Sequence, residues 1–278
     1  MAEATMKRMV LKLMLHLISL LWLSKSSSAV APSLAKPNCT EKCGNINVSI
    51  PYPFGIGDGC YMNKWFEISC NRTFNYTISP FLKSFNLEVL QFSLLQGTVL
   101  VNNPVVGDCI DPEWVVSGKN ASVSLRGSPF YYSEIHNRFA ATGCDNLVFT
   151  IQDGDVIGGC LSICNVSTLL NGCYGIGCCQ TQIPFRIQTF NVNITGTGVR
   201  NAKLGCRSAF LVEKNWFSNS SDYRFLIDFP DQVRNVPAVV EWGIANGTCE
   251  FESNNKLVLI RQLQHRRLLF KEWGTRLL

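Results

Sequence analysis

Thirteen cysteines lie between Cys39 and Cys249, and three of them fall within seven residues of the stretch CYGIGCCQTQIP, from Cys173 to Pro184. In a reducing compartment such a cluster is a metal or redox site; in an oxidising one it is a set of disulfide staples. The compartment therefore decides the fold class, and the N-terminus bears on it. Lys7 and Arg8 form a positive region, Met9 to Leu23 an apolar stretch broken by Lys12 and His16, and Ala29 and Ala31 stand at signal-peptidase spacing. This is the pattern of a secretory signal over residues 1–31. The competing reading, a membrane anchor, needs about 20 apolar residues, more than this run supplies.

Secretion makes disulfides the expectation for Cys39, Cys43, Cys60, Cys70, Cys109, Cys144, Cys160, Cys164, Cys173, Cys178, Cys179 and Cys206. A zinc site asks for reduced thiolate pairs, and Cys39 with Cys43 or Cys160 with Cys164 only loosely fits that spacing. Cys178 and Cys179 are adjacent, so on a strand they point to opposite faces and bridge in two directions. A bond between the two neighbours themselves demands a strained ring. Thirteen is odd, so one thiol is left over, and Cys249, the last, is the expected one. Nine Asn-x-Ser/Thr triplets agree with a secreted surface. Glycosylation is expected at Asn47, Asn71, Asn75, Asn120, Asn165, Asn193, Asn219 and Asn246, and is doubtful at Asn38, whose triplet contains Cys39.

Charge excludes one class of partner. The chain has 25 basic and 20 acidic residues, but the signal region and the basic tail from Glu250 hold most of the excess. Between Val30 and Cys249 there remain 15 basic against 16 acidic residues, so nothing argues for nucleic acid. The tail, 250–278, reads as a weakly structured end; a basic amphipathic helix on acidic lipid is the alternative.

The body reads as mainly β: a disulfide-rich extracellular module with short strands and few short helices. FNLEVLQF (Phe85 to Phe92) alternates apolar and polar residues, and GTVLV (Gly97 to Val101) follows after a turn, which is hairpin grammar. LVFTI (147–151), FRIQTFNVNI (185–194) and AVVEW (238–242) are further strand candidates, rich in β-branched and aromatic residues. A seam at Pro104 to Asp108 divides the body into an N-terminal lobe, 32–107, and a C-terminal cysteine-rich lobe, 108–249.

No catalytic signature emerges, and the expectation is a non-enzyme with no cofactor and no metal. His136 is the one histidine of the body and reads as an ordinary turn residue. Asp108, Asp111, Glu113, Asp153 and Asp155 sit beside glycines and prolines, where carboxylates form turns more often than they cleave glycosides. GIGDG (55–59) and GTG (196–198) lack the third glycine of a dinucleotide loop.

CGNINVSIPYPFGIGDGC (Cys43 to Cys60) resembles the opening motif of the galacturonan-binding extracellular domain of plant wall-associated receptor kinases. YGIGCCQTQIP (Tyr174 to Pro184) resembles a second signature of that family, and CRSAFLVEKNWF and VVEWGIANGTC fit the later part of such ectodomains. The resemblance spans about Pro37 to Cys249. Receptor members continue through further cysteines, often EGF-like modules, then a transmembrane helix and a kinase; none follows Cys249 in this chain, so neither kinase activity nor membrane attachment is carried over.

The resemblance implies binding of pectin or oligogalacturonides in the cell wall. Such a site needs cations for carboxylates, preferably forked arginines, and flat aromatic faces for sugar rings. The candidates are Arg126, Arg138, Arg200, Lys203 and Arg207, with Tyr52, Phe54, Tyr131 and Tyr132 as platforms. For Tyr52 and Phe54, beside proline and glycine, core packing stands as the alternative. A second function of another class stays open: a soluble ectodomain or decoy that pairs with related receptors and binds little pectin.

Overall fold

The computed structural model describes residues 2–23, 33–73, 76–108, 122–164, 173–195, 206–219 and 235–243. The chain divides into two units, 1–33 and 34–278. The first unit contains one helix, α1 (Ala2–Leu23), built from the leucines, methionines and lysines of the expected signal. No helix among the described residues is long and apolar enough to cross a membrane.

The second unit is mostly β. In chain order its first strands are β1 (Ile68–Arg72), β2 (Ile78–Leu82), β3 (Leu87–Ser93), β4 (Thr98–Pro104) and β5 (Val106–Asp108). Next come β6 (Val123–Ser124), β7 (Phe130–Tyr132), β8 (Asn137–Thr142), β9 (Asn146–Gln152) and β10 (Asp155–Ser162). The series ends with β11 (Tyr174–Ile176), β12 (Cys178–Thr181), β13 (Thr189–Ile194), β14 (Arg207–Glu213) and β15 (Asn235–Trp242). A short helix, α2 (Lys214–Asn219), follows β14, and a 3-10 turn occupies Lys64–Phe66.

These strands form three sheets, with orders β1-β2-β3-β4-β15-β7, β10-β9-β13-β6 and β11-β12-β8-β14-β5. Local pairings follow turn chemistry. β9 and β10 join through Asp153 and Gly154, both at positive φ, the two-residue turn whose twist suits a hairpin. β3 and β4 form the hairpin expected from their alternation, with a register shift between Val89 and Gln91. The stretch expected as one strand over 185–194 is a strand only from Thr189. Arg186 takes φ +56°, which an extended strand does not admit, so Phe185 to Gln188 turn instead.

The expected division into lobes at Pro104–Asp108 does not describe these sheets. β4 pairs along its whole length with β15, from Asn235 opposite Pro104 to Glu241 opposite Thr98, and β15 pairs on its other side with β7. Apolar side chains from both expected lobes fill one core, including Phe54, Phe66, Val101, Phe130, Leu211 and Trp242. Pro237 fits inside this strand because β7 reaches only Val240 to Trp242, so no second neighbour asks for its missing N–H.

The disulfides whose two cysteines are both described staple the halves separately. Cys39–Cys60 and Cys43–Cys70 close the N-terminal loops around β1. Cys144–Cys164, Cys160–Cys179 and Cys173–Cys178 close the C-terminal ones. The neighbours Cys178 and Cys179 bridge in two directions. Cys178 joins the cluster that holds Ala140, Phe210 and Val212, whereas Cys179 joins the main core with Ala141, Ala209 and Leu211. The sheet containing β12 is therefore packed on both faces, and the Cys160–Cys179 bond ties it to β10 of its neighbour. Cys206 is also disulfide-bonded. Cys109, Cys249, the sequons at Asn75, Asn120, Asn165 and Asn246, the signal-peptidase site and the tail 250–278 lie outside the described residues, as does the side chain of Asn219.

A buried amide couples β8 to β15. Asn137 is fully buried; its Nδ2 donates to the carbonyl of Val239 at 2.7 Å, and its Oδ1 accepts from the Val239 N–H at 2.8 Å. The side chain thus stands in for one rung of a β-ladder between two sheets. Truncating it leaves both backbone groups of Val239 without that partner in a dry interior. The Val239 carbonyl still accepts from the Ser133 N–H at 3.1 Å, so Asn137→Ala should cost about 1–3 kcal/mol in a denaturant titration, the cost expected for one buried N–H losing its partner; a cost near zero would show that the coupling lies elsewhere.

Candidate functional site

The expected binding residues scatter when placed in the fold. Phe54 is 1 % exposed and sits among Phe66, Phe92, Phe130 and Trp242, at ring-centroid distances of 5.2, 4.7, 6.2 and 5.5 Å. Tyr132 is fully buried and donates from its hydroxyl to Asn103 Oδ1 at 2.7 Å. Neither ring offers a face to a sugar, and both are corrected here to core residues. The reason is the same for each: alternation on a strand or a turn beside proline aims the ring inward, where its large apolar area is removed from water. Tyr52 is half-buried and precedes Pro53 through a cis peptide.

Arg207 is likewise a structural cation. It is 9 % exposed, its Nη2 contacts Asp108 Oδ2 at 3.0 Å, and its Nη1 donates to the Asp145 and Thr195 carbonyls at 3.1 and 3.4 Å. A guanidinium so engaged has little left for a ligand. Arg138 is half-buried and donates to the Asn137 carbonyl at 3.1 Å. Arg200 and Lys203 lie outside the described residues.

Two expected residues do share a surface, together with two that sequence reasoning passed over. Arg126 donates from Nε to Thr189 Oγ1 at 2.8 Å and pairs with Asp153 at 2.5 Å. Tyr131 donates from its hydroxyl to Glu241 Oε2 at 3.0 Å. Arg186 lies 5.9 Å from the Tyr131 ring and 5.1 Å from that of Phe185, which is 67 % exposed. Gln188 stitches the two segments by donating to the carbonyls of Ser128 and Phe130 at 3.1 and 2.8 Å.

A second surface gathers cations and rings without any of the expected residues. The 3-10 turn at Lys64–Phe66 is capped by Asn63, whose Oδ1 accepts from the Trp65 N–H at 3.0 Å. It buries Phe66 and leaves Trp65 half-buried, stacked on Phe85 at 5.9 Å with planes 10° apart. Lys64 Nζ stands 5.0 Å from the Trp65 ring centroid. Ser84 Oγ donates to the Lys64 carbonyl at 3.0 Å, which holds the turn beside Lys83. Lys83 Nζ meets Glu67 Oε1 at 2.6 Å, and this bond raises the lysine's pKa. Tyr61 donates to Asp58 at 3.0 Å, which raises the phenol in the same way.

Comparison with known proteins gives this second surface its context. Residues 39–103 match the family described as "Wall-associated receptor kinase galacturonan-binding", and residues 171–226 match "Wall-associated kinase". The chain carries an extracellular region of the wall-associated receptor kinase type. Wall-associated receptor kinase-like 6 of Arabidopsis thaliana is 35 % identical over 199 residues, which cover 64 % of this chain and 30 % of that protein. Wall-associated receptor kinase-like 1 is 31 % identical over 80 % of this chain and 32 % of its own length, and wall-associated receptor kinase 1 is 30 % identical over 77 % and 28 %, both from the same plant. The chain thus spans about a third of the length of these relatives. No solved structure matches it.

Within this wall-associated-kinase-type region, Lys64, Trp65 and Lys83 all fall inside the segment that matches the galacturonan-binding family, whereas Arg126 and Tyr131 fall between the two matched segments and Arg186 falls inside the second. A lysine directly before a tryptophan in the polar stretch MNKWFE was the available signal.

Tyr132 supplies a pH test of the corrected placement. Burial pushes its phenol up from the ordinary value of 10.0. Its contribution to stability is fully present below about pH 10 and is lost as pH rises further, because the unfolded chain then releases a proton that the folded one retains. Tyr132→Phe should flatten the alkaline fall in melting temperature above about pH 10; an unchanged alkaline limb would mean that the ring is not sealed from water.

Proposed function

We propose that this chain is a secreted, non-enzymatic ectodomain of the plant cell wall that binds de-esterified pectin through Lys64, Trp65 and Lys83. The observation that carries the reading is the convergence of an ammonium, a stacked indole and a second ammonium within the segment that matches a galacturonan-binding family. The chemistry suits a polymer of galacturonate. The apolar C–H face of a sugar ring packs on an aromatic face, and a carboxylate on the next sugar meets a lysine. Phe85 stiffens Trp65 from beneath, so little side-chain entropy is lost on binding. Glu67 neutralises Lys83 in the empty site, and a galacturonate carboxylate competes with it for the ammonium. The near-neutral body keeps this attraction local.

A protein-interaction ectodomain is the second reading, favoured by the other surface. There an arginine overlies two rings, one of them well exposed, a composition common at the centres of protein interfaces. Salt separates the two readings. Glycosylated protein should retain polygalacturonate at low salt and release it as salt rises, since the screening length falls from about 10 Å at 0.1 M to about 3 Å at 1 M. Fully methyl-esterified pectin should not be retained. Lys64→Gln and Lys83→Gln should each weaken binding by roughly 1.5- to 5-fold, the worth of an exposed charge pair. Equal retention of esterified pectin, or indifference to both substitutions, would exclude this site.

A further inference from the structure

A groove in the second unit is lined by none of the residues of the two charged surfaces. It encloses about 410 Å³ between the segment around Asn47 and the outer side of the β3–β4 hairpin, and Leu34, Asn47, Pro51, Leu90, Phe92 and Leu95 line it. No charged side chain lines it. The groove exists for local reasons. Leu90 faces outward by the alternation of β3, one residue after buried Val89, the register shift between Val89 and Gln91 keeps Phe92 turned partly inward, and the turn after Ser93 presents Leu95. Leu34 and Leu95 are 56 % and 63 % exposed, an arrangement that a secreted protein rarely leaves open to water.

A polyanion gains nothing from such a lining, so the pectin chain is the wrong occupant. Asn47 identifies a better one. It lines the groove, its side chain is exposed, and it opens the triplet Asn47-Val48-Ser49. Its neighbours Ile46 and Val48 pack against the core and Ile50 is fully buried, so this short segment is anchored with Asn47 facing out. A sugar joined to Asn47 Nδ2 starts inside the groove. N-acetylglucosamine is neutral, with an apolar ring face and an acetyl methyl, which matches leucine and phenylalanine walls rimmed by Ser49, Gln91 and Ser93.

We propose that Asn47 is N-glycosylated and that the inner N-acetylglucosamine units of its glycan occupy this groove, covering the leucines. The groove is then a site for the chain's own sugar and is closed to other ligands. The proposal rests on the secretory part of the function proposed above and not on pectin binding. It also separates Asn47 from Asn193, an exposed sequon residue on β13 that does not line the groove.

The test uses full-length protein secreted from a eukaryotic host. Glycopeptide mass spectrometry should find Asn47 occupied. Digestion of the folded protein with a peptide N-glycosidase should release the glycan more slowly from Asn47 than from Asn193, and its loss should raise the binding of an environment-sensitive hydrophobic dye. The melting temperature should fall by about 2–4 °C, the range for a modest loss in a domain of this size. Asn193→Gln should change neither dye binding nor melting. Because the sugar is removed after folding, a defect in folding cannot mimic the result. An Asn47 left bare while Asn193 is occupied would overturn the proposal but leave secretion intact, whereas sequons bare throughout would overturn secretion as well. Equal release rates with unchanged dye binding would show an open groove and would equally overturn it.

Discussion

The pairing of β15 with β4 is the contact on which the second unit depends. Each disulfide between described cysteines stays within one half of the chain: two lie within 39–70 and three within 144–179. Those bonds shorten loops and limit the unfolded state, but they do not hold the two halves to each other. Among the described residues the two halves are joined by the contacts of a strand more than 130 residues after its partner in sequence. Seven rungs with β4, three with β7, the Asn137 amide at Val239 and the Trp242 ring against Phe54 and Phe66 of the N-terminal half all converge on β15.

This seam also supports the proposed ligand surface. Trp242 packs on Phe66 at 5.7 Å, Phe66 on Phe130 at 5.3 Å, and Phe130 on Phe85 at 5.6 Å. Phe85 in turn carries Trp65. The indole at the surface is thus the last ring of a stack that begins on β15. Its rigidity is a consequence of core packing rather than of the local turn alone. The cations beside it owe their positions to local bonds, Lys83 to Glu67 and the Lys64 turn to Ser84 and Asn63. Rigid rings with adjustable lysines suit a polymer whose sugars are identical and whose charges recur.

The parts of this architecture legible in sequence are those written in neighbouring residues. Alternation in Phe85–Phe92, with Gly97–Val101 following after a turn, points to a hairpin, the Asp153-Gly154 pair sits in a tight turn, and adjacent Cys178 and Cys179 imply bridges toward opposite faces of a strand. Long-range pairing left no such trace. AVVEW reads as a strand, but nothing in it points to Thr98–Pro104 rather than to any other apolar edge, so the sequence admits a seam at Pro104–Asp108 that the β4–β15 pairing crosses.

Site residues were harder to read, because their role depends on burial that local sequence does not state. Phe54 and Tyr132 resemble platforms until the fold encloses them, and Arg207 resembles a ligand cation until Asp108 is brought across from β5. Lys64 and Trp65 were hidden in another way. Each is unremarked by itself, and only the turn that sets the ammonium over the indole, with Lys83 on the next segment, makes them the proposed site. The central claim, that galacturonate binds on this stack, is tested most directly by carbene footprinting of the glycosylated protein with and without polygalacturonate. The account predicts protection concentrated on residues 61–67 and 83–85, with 185–189 unchanged. Protection confined to 185–189, or absent from Trp65, would contradict it.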